Sequence, residues 1–278
     1  MKKSIKVLLI VALVLALIGG ALCVSAFAMG ITAKDLTGMA RNGLFSFDQW
    51  WDEDDVLYAD RNTEHHSDHI GNTSSDKLVI DLDFGHLMIQ STDSKDVYIE
   101  ASPEDEKYFD LQRKDTIITV RSKEHSVFSG IHVPEATLYV PQDLDIQHIF
   151  LDVDAGECVV ENAMNVQTLE VDVDAGSVKI QNMTANWLDL NCDAGGIIYA
   201  GEAVSGGEAD VDAGKIELNL SGKQEKDYNY KIDVDAGVLF INNHKYSGKE
   251  RETFIRNNSK ATWSISCDAG KIEMKVNP

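Results

Sequence analysis

Seven aspartates in this 278-residue chain stand two residues before a glycine. Asp83, Asp154, Asp174, Asp193, Asp212, Asp235 and Asp268 precede Gly85, Gly156, Gly176, Gly195, Gly214, Gly237 and Gly270. Carboxylates in such number suggest cation chemistry first. If the copies stack in register, carboxylates about 5 Å apart repel by roughly 1–3 kcal/mol per pair, and bridging calcium would relieve that. Calcium asks for about six to eight oxygens, and the Gly-Gly-x-Gly-x-Asp motif of calcium-bound β-rolls does not occur here. Calcium is therefore the weaker alternative, and no cofactor is expected.

The rival reading is architectural. Each aspartate would accept hydrogen bonds from the amides around Ala-Gly, as in an Asx turn, and the glycine would supply backbone freedom. The column two residues earlier reads Asp152, Asp172, Asn191, Asp210, Asp233, Ser266, so it tolerates neutral side chains. The column next to the glycine does not vary, which ties aspartate to glycine and favours turn geometry. Other chemistry is thinner. His65, His66 and His69 in "HHSDH" have a zinc-like spacing but no second ligand cluster nearby. Trp50 and Trp51 could sit at a membrane interface or pack locally. No Ser-His-Asp arrangement, phosphate loop or CxxC pair is present. A carbohydrate-active β-helix enzyme is the catalytic alternative, disfavoured because the repeat columns carry no arginine and the rungs are few. A non-enzymatic protein is expected, with no catalytic, cofactor-binding or metal residue assigned.

The elements that position these residues follow from periodicity. Successive glycines from Gly156 onward lie 20, 19, 19, 23 and 33 residues apart, a solenoid period. Alternation around each glycine indicates strands. Val171, Val173 and Ala175 face one way and Asp172 and Asp174 the other; after Gly176, Val178 and Ile180 continue the apolar row. One rung cannot bury such a row alone, whereas stacked rungs can. The expectation is an all-β, single-chain β-solenoid with about 20 residues per rung. "LVIDLDFGHLMIQ" is a degenerate seventh copy, and "DVYIEA", "YFDLQ", "TIITVRS" and "ATLYVP" are strands that begin or cap the stack. The two long spacings read as loop insertions, "SGKQEKDYNY" and the basic-leaning "NHKYSGKERETFIRNN", the second a candidate contact surface. Cys158, Cys192 and Cys267 occupy apolar repeat positions and are expected as small buried hydrophobes without disulfides.

The N-terminus divides the chain. Residues 1–6 are basic, and 7–29 are 23 residues without a charge, about 34 Å as a helix, enough to span a bilayer. The expected domains are a cytoplasmic tip (1–6), a transmembrane anchor or signal peptide (7–29), a juxtamembrane linker (30–76) and the solenoid (77–278). Beyond residue 30 the chain carries 46 acids against 22 bases, a net −24, which argues against nucleic acid as a partner.

The run "ATLYVPQDLDIQHIFLDVDAGECVVENAMNVQTLEVDVDAGSVKIQN" resembles the bacterial "putative adhesin" domain-of-unknown-function family. With the anchor, the chain also resembles LiaG-like membrane-anchored envelope proteins. The resemblance covers about residues 77–278 and implies a β-solenoid outside a bacterial plasma membrane, single-pass, with the C-terminal domain extracytoplasmic. It supplies no catalytic residue. The function expected is adhesin-like display of an interaction surface to a protein or glycan at the cell envelope. The alternative is accessory regulation of an envelope-stress signalling system.

Overall fold

A computed structural model of the chain describes residues 66–70, 75–122, 132–161, 164–248 and 250–278. The tip, the anchor, Trp50, Trp51, His65 and most of the expected linker lie outside them. Among the described residues no helix is long and apolar enough to cross a membrane.

The fold is all-β, and its strands form two ladders joined at the Asp-x-Gly corners. Strands before the corners build the first ladder. Its parallel order is β6 (Ile117–Ser122), β2 (Lys77–Leu82), β8 (His148–Val153), β10 (Asn165–Val173), the later half of β11 (Ser177–Cys192), β13 (Gly206–Val211), β19 (Ala261–Cys267) and β15 (Tyr228–Val234). Strands after the corners build the second. That order is β7 (Glu135–Pro141), β3 (His86–Thr92), β9 (Glu157–Val160), the earlier half of β11, β12 (Gly196–Ala203), β14 (Lys215–Leu220), β20 (Lys271–Val276) and β16 (Val238–Ile241). The result is a β-solenoid.

The rungs do not stack in sequence order. At the far end, the last copy (261–276) lies between the copies at 206–220 and 228–241. At the near end, β6 and β7 lie outside the copy at 77–92, although they follow it in the chain. Antiparallel strands then cover both ends. β5 (Phe109–Lys114) pairs with β6, while β4 (Val97–Ala101) pairs with β7 and carries β1 (His66–Ile70) on its other edge. At the opposite end β18 (Glu250–Ile255) pairs with β15 and β17 (His244–Ser247) with β16. The caps move the open hydrogen-bonding edge, which invites aggregation, from the parallel ladders to short antiparallel strands.

Alternation produces the core as expected. Leu78, Ile80 and Leu82 lie above Ile149, Leu151 and Val153, then Leu169, Val171 and Val173, all buried. Such rows, about 4.8 Å apart, bury on stacking what no rung could bury alone. Cys158, Cys192 and Cys267 belong to these rows with free thiols. Burial pushes the Cys158 thiol up to about 12 and that of Cys192 to about 11, so neither is a nucleophile at neutral pH.

Three expectations change. His66–Ile70, inside the stretch read as linker, is a strand of the sheet. "SGKQEKDYNY" is only partly a loop: Tyr228 and Tyr230 belong to β15, and the buried Tyr228 ring meets those of Tyr230 and Trp263 edge-on. Their hydroxyls donate to main-chain carbonyls, Tyr228 to Ala203 at 2.6 Å and Tyr230 to Glu225 at 3.1 Å, which removes the cost of burying them. Gly207 pairs with Trp263 in the neighbouring rung, and a Cβ there would lie 2.3 Å from the Leu188 carbonyl oxygen on its other side. Finally, "NHKYSGKERETFIRNN" supplies the capping strands β17 and β18 rather than a loop protruding between rungs.

Candidate functional site

The corner is the first candidate. All seven aspartates come together in one column, in the spatial order 83, 154, 174, 193, 212, 268, 235. The glycines follow the same order, with Gly270 between Gly214 and Gly237. Within each corner Asp and Ala both point outward. Ala155, Ala175, Ala194, Ala213, Ala236 and Ala269 are exposed, so Ala175 leaves the apolar row assigned to it.

Among the described residues, the amides of the six Asp-Ala-Gly corners do not bond to aspartate side chains. The Ala175 N–H donates to the Asp154 main-chain carbonyl at 2.7 Å, Ala194 to Asp174 at 2.7 Å, and Ala236 to Asp268 at 2.6 Å. The rungs therefore hold one another through backbone bonds, and the Asx-turn expectation gives way to a main-chain ladder. Among the described residues, the carboxylates of Asp154, Asp174, Asp193, Asp212, Asp235 and Asp268 accept no hydrogen bond and make no ion pair.

The glycines are explained by proximity. A Cβ on Gly176 would lie 2.4 Å from the Gly156 carbonyl oxygen, and one on Gly195 would lie 2.2 Å from that of Gly176. Among the seven, Gly85 alone has a positive φ, 116°. Close approach of the neighbouring rung, rather than backbone freedom, demands glycine at the other six.

The inner acidic column runs Asp81, Asp152, Asp172, Asn191, Asp210, Ser266, Asp233 in space. Its neutral members are spacers: the swapped last rung brings Ser266 between Asp210 and Asp233. At the head, Arg121 of β6, outside the repeat copies, pairs with Asp81 at 2.9 Å in line with the column. Partial burial, then the neighbouring aspartates, raise the carboxyls of Asp152 and Asp172 above the usual carboxylate value. Burial likewise raises Asp210, against a hydrogen bond from Ser266 that lowers it. Between the columns lies a polar trough of about 300 Å³ lined by Asp172, Asp174, Asn191, Asp193, Asp210 and Asp212. Among the described residues no group of three or more His, Cys, Asp or Glu is arranged to hold a metal ion. His66 and His69 fall on β1, apart from these columns.

The second candidate lies at the far cap. A cleft of about 410 Å³ is lined by Asn229, Tyr230, Lys231, Phe254, Ile255, Arg256, Asn258 and Thr262. Phe254 is 54% exposed, more than any other large hydrophobic residue among those described. It stands opposite Lys231, whose Nζ bonds Glu252 at 2.8 Å. The Asn229 amide is occupied as well, donating to the Ser259 carbonyl at 2.7 Å and accepting from the Asn257 N–H at 2.9 Å. Arg256 is exposed and has no hydrogen-bond or ion-pair partner among the described residues. Residue-level reading singled out the segment but not Phe254 or Arg256. The alternation of Thr253 and Ile255 with Phe254 and Arg256 was the available signal for an outward-facing aromatic and cation.

Residues 75–205 match the model of the Toastrack DUF4097 family. The "putative adhesin" resemblance and the Toastrack match agree on a domain of unknown function with this all-β stack. No curated protein matches the chain. Solved structures similar to it include a "putative cell adhesion protein" from Clostridium sporogenes, at 14% identity and TM-score 0.44, covering 77% of this chain and 99% of that one. A "putative adhesin" from Bacteroides fragilis matches at 16% identity and TM-score 0.42, covering 77% and 97%. A "putative lipid binding protein" from Parabacteroides distasonis matches at 9% identity and TM-score 0.40, with the same coverage.

Proposed function

We propose that the protein is a non-enzymatic, adhesin-like display module of the bacterial cell envelope that works without a cofactor. In this reading residues 7–29 cross the plasma membrane once, residues 1–6 stay inside, and the solenoid stands outside on a tether. The observation that carries it is the polarity of the stack. The chain enters through β1 at one end, and the exposed aromatic and unpaired cation lie on the cap at the other. Eight stacked rungs separate the two ends by about 35 Å at the usual strand spacing. A rigid spacer of this kind, capped at both ends, presents its far cap to whatever the cell meets. The net −24 beyond residue 30 keeps the flanks hydrated and apart from one another.

The test is made on intact cells producing the full-length chain. Protease added outside should cut the solenoid's loops, and the cells should bind glycan- or protein-coated surfaces better than cells lacking the protein. Protection of the solenoid from protease, or unchanged binding to every surface, would remove the reading.

A further inference from the structure

We infer that the far-cap cleft is a binding site for an acidic saccharide, a sugar ring bearing one carboxylate, with Phe254 as platform and Arg256 as counter-ion. The inference rests on the adhesin-like reading and names its ligand class. Phe254 presents more than half its surface to solvent on the edge strand β18. An exposed ring on a rigid strand suits the apolar C–H face of a sugar, as binding clefts combine an aromatic wall with a few polar groups.

The polar groups sort themselves by what they already hold. Lys231 is engaged by Glu252, and the Asn229 amide is spent within the protein. Arg256 is left with its donors unused beside the ring, and Asn258 and Thr262 complete the wall with hydroxyl and amide groups. A single unpaired guanidinium matches a singly charged carboxylate through two parallel hydrogen bonds.

Charge agrees. Residues 242–260 hold five Lys or Arg against two acids, in a chain that is otherwise strongly acidic. An anionic polymer is repelled by the flanks and attracted by the cap, so it is received end-on. A second copy's acidic trough has the complementary charge but is lined by acids, Asn191 and Cys192, and offers little apolar surface for Phe254.

Calorimetric titration of the full-length protein in mild detergent with a galacturonate pentamer, its methyl ester and a neutral galactose pentamer tests this. The acidic oligomer should bind about tenfold or more tightly than the other two, and Arg256→Gln should erase that preference. Phe254→Ser should weaken all three, while Asp212→Asn in the trough should change none. Equal binding of the three oligomers, binding unaltered by both cap substitutions, or no binding of the galacturonate pentamer would each overturn the proposal. So would sedimentation showing that copies self-associate and that Arg256→Gln abolishes it, which would give the cap to a second copy. If cells carrying both cap substitutions still adhere, the adhesin-like reading stands and this site is wrong. If unsubstituted cells adhere to nothing, both fall.

Discussion

The two ends of the stack solve one problem in two ways. At each end the chain overshoots and doubles back, so an outer rung is separated from its sequence neighbour by an inner one. The near end is then sealed by packing. Phe109 on β5 is 4% exposed, Tyr98 and Tyr139 stack at 4.7 Å, and the Ser122 hydroxyl accepts from the amides of Asp83 and Phe84 at 2.8 and 3.3 Å. The far end keeps a regular Asp-Ala-Gly corner in its outer rung but leaves Phe254 and Arg256 outside. Charge separates them too: residues 102–116 carry five acids and three bases, residues 242–260 five bases and two acids. One end is closed by packing, and the other leaves an aromatic ring and a cation exposed.

Removing residues 259–278 should produce the largest effect, because the inserted rung bonds to both neighbours. Without it β13 and β14 lose their partners on one side, and β15 and β16 lose the rung that joins them to the stack. Seven buried side chains go as well, including Trp263 and Ile265. In a quasi-one-dimensional fold the loss should stay local. Hydrogen exchange should show lost protection at 206–241 while 77–160 remains protected. Uniform loss would mean that the two ends are one cooperative unit and that the contrast between them has no energetic content.

This rung also marks how far the sequence could be read. Alternation around Asp-x-Gly disclosed the strands, the corner, the buried rows and even the degenerate copy at Asp83 and Gly85. It could not disclose the order, because every copy offers the same apolar ladder and the same backbone edge to its neighbour. Gly270 fits against Gly214 as Gly195 fits against Gly176. The 33-residue spacing before Gly270 was the trace of a chain running past its own place and returning. The corner's bonding was hidden for a related reason. A pattern shows which residues recur, and whether an amide meets a side chain or the next rung's carbonyl depends on stacking. At the cap the basic character of 243–258 was visible, but the exposure of Phe254 depends on which face of β18 meets β15.

The two cap phenylalanines sharpen the contrast directly. Phe109→Ala should cost about 3–5 kcal/mol, as for other buried aromatic truncations. Phe254→Ser should stay within about 0.5 kcal/mol, since it removes little packed surface. Urea unfolding of the two variants gives both numbers. A comparable cost at Phe254 would make it a structural lid and remove the reason for calling that end a contact surface.

A smaller effect is expected at the near corner. Ser122→Ala removes the acceptor shared by the Asp83 and Phe84 amides and should cost about 1 kcal/mol. Thermal unfolding checks it, with Ser266→Ala beside it. Ser266 bonds Asp210 but also separates two acids, so its loss should cost no more than that of Ser122.

The smallest effects belong to pH and lie between the ends. Asp152, Asp172 and Asp210 are raised above the ordinary 3.8, mainly by burial, so the fold prefers them protonated. Their stabilisation is complete below pH 3.8 and lost as pH rises through the raised values. His86 acts in the same direction. Its hydrogen bond with Glu157 at 2.6 Å raises it above 6.5, so its contribution is complete below that pH and fades above it. Glu273, held down by Lys271, opposes both, contributing above pH 4.5 and losing that contribution as pH falls further. The melting temperature should therefore rise as pH falls from about 8 to about 5, each site contributing only a few tenths of a kcal/mol because solvent screens it. His86→Gln should flatten that rise, and Asp172→Asn should remove a contribution that grows as pH falls towards the ordinary carboxylate value. A melting temperature that fell throughout this range would show that the acidic columns are stabilised by an interaction that requires their charge, a bound cation foremost. The trough would then join the far cap as a second contact surface.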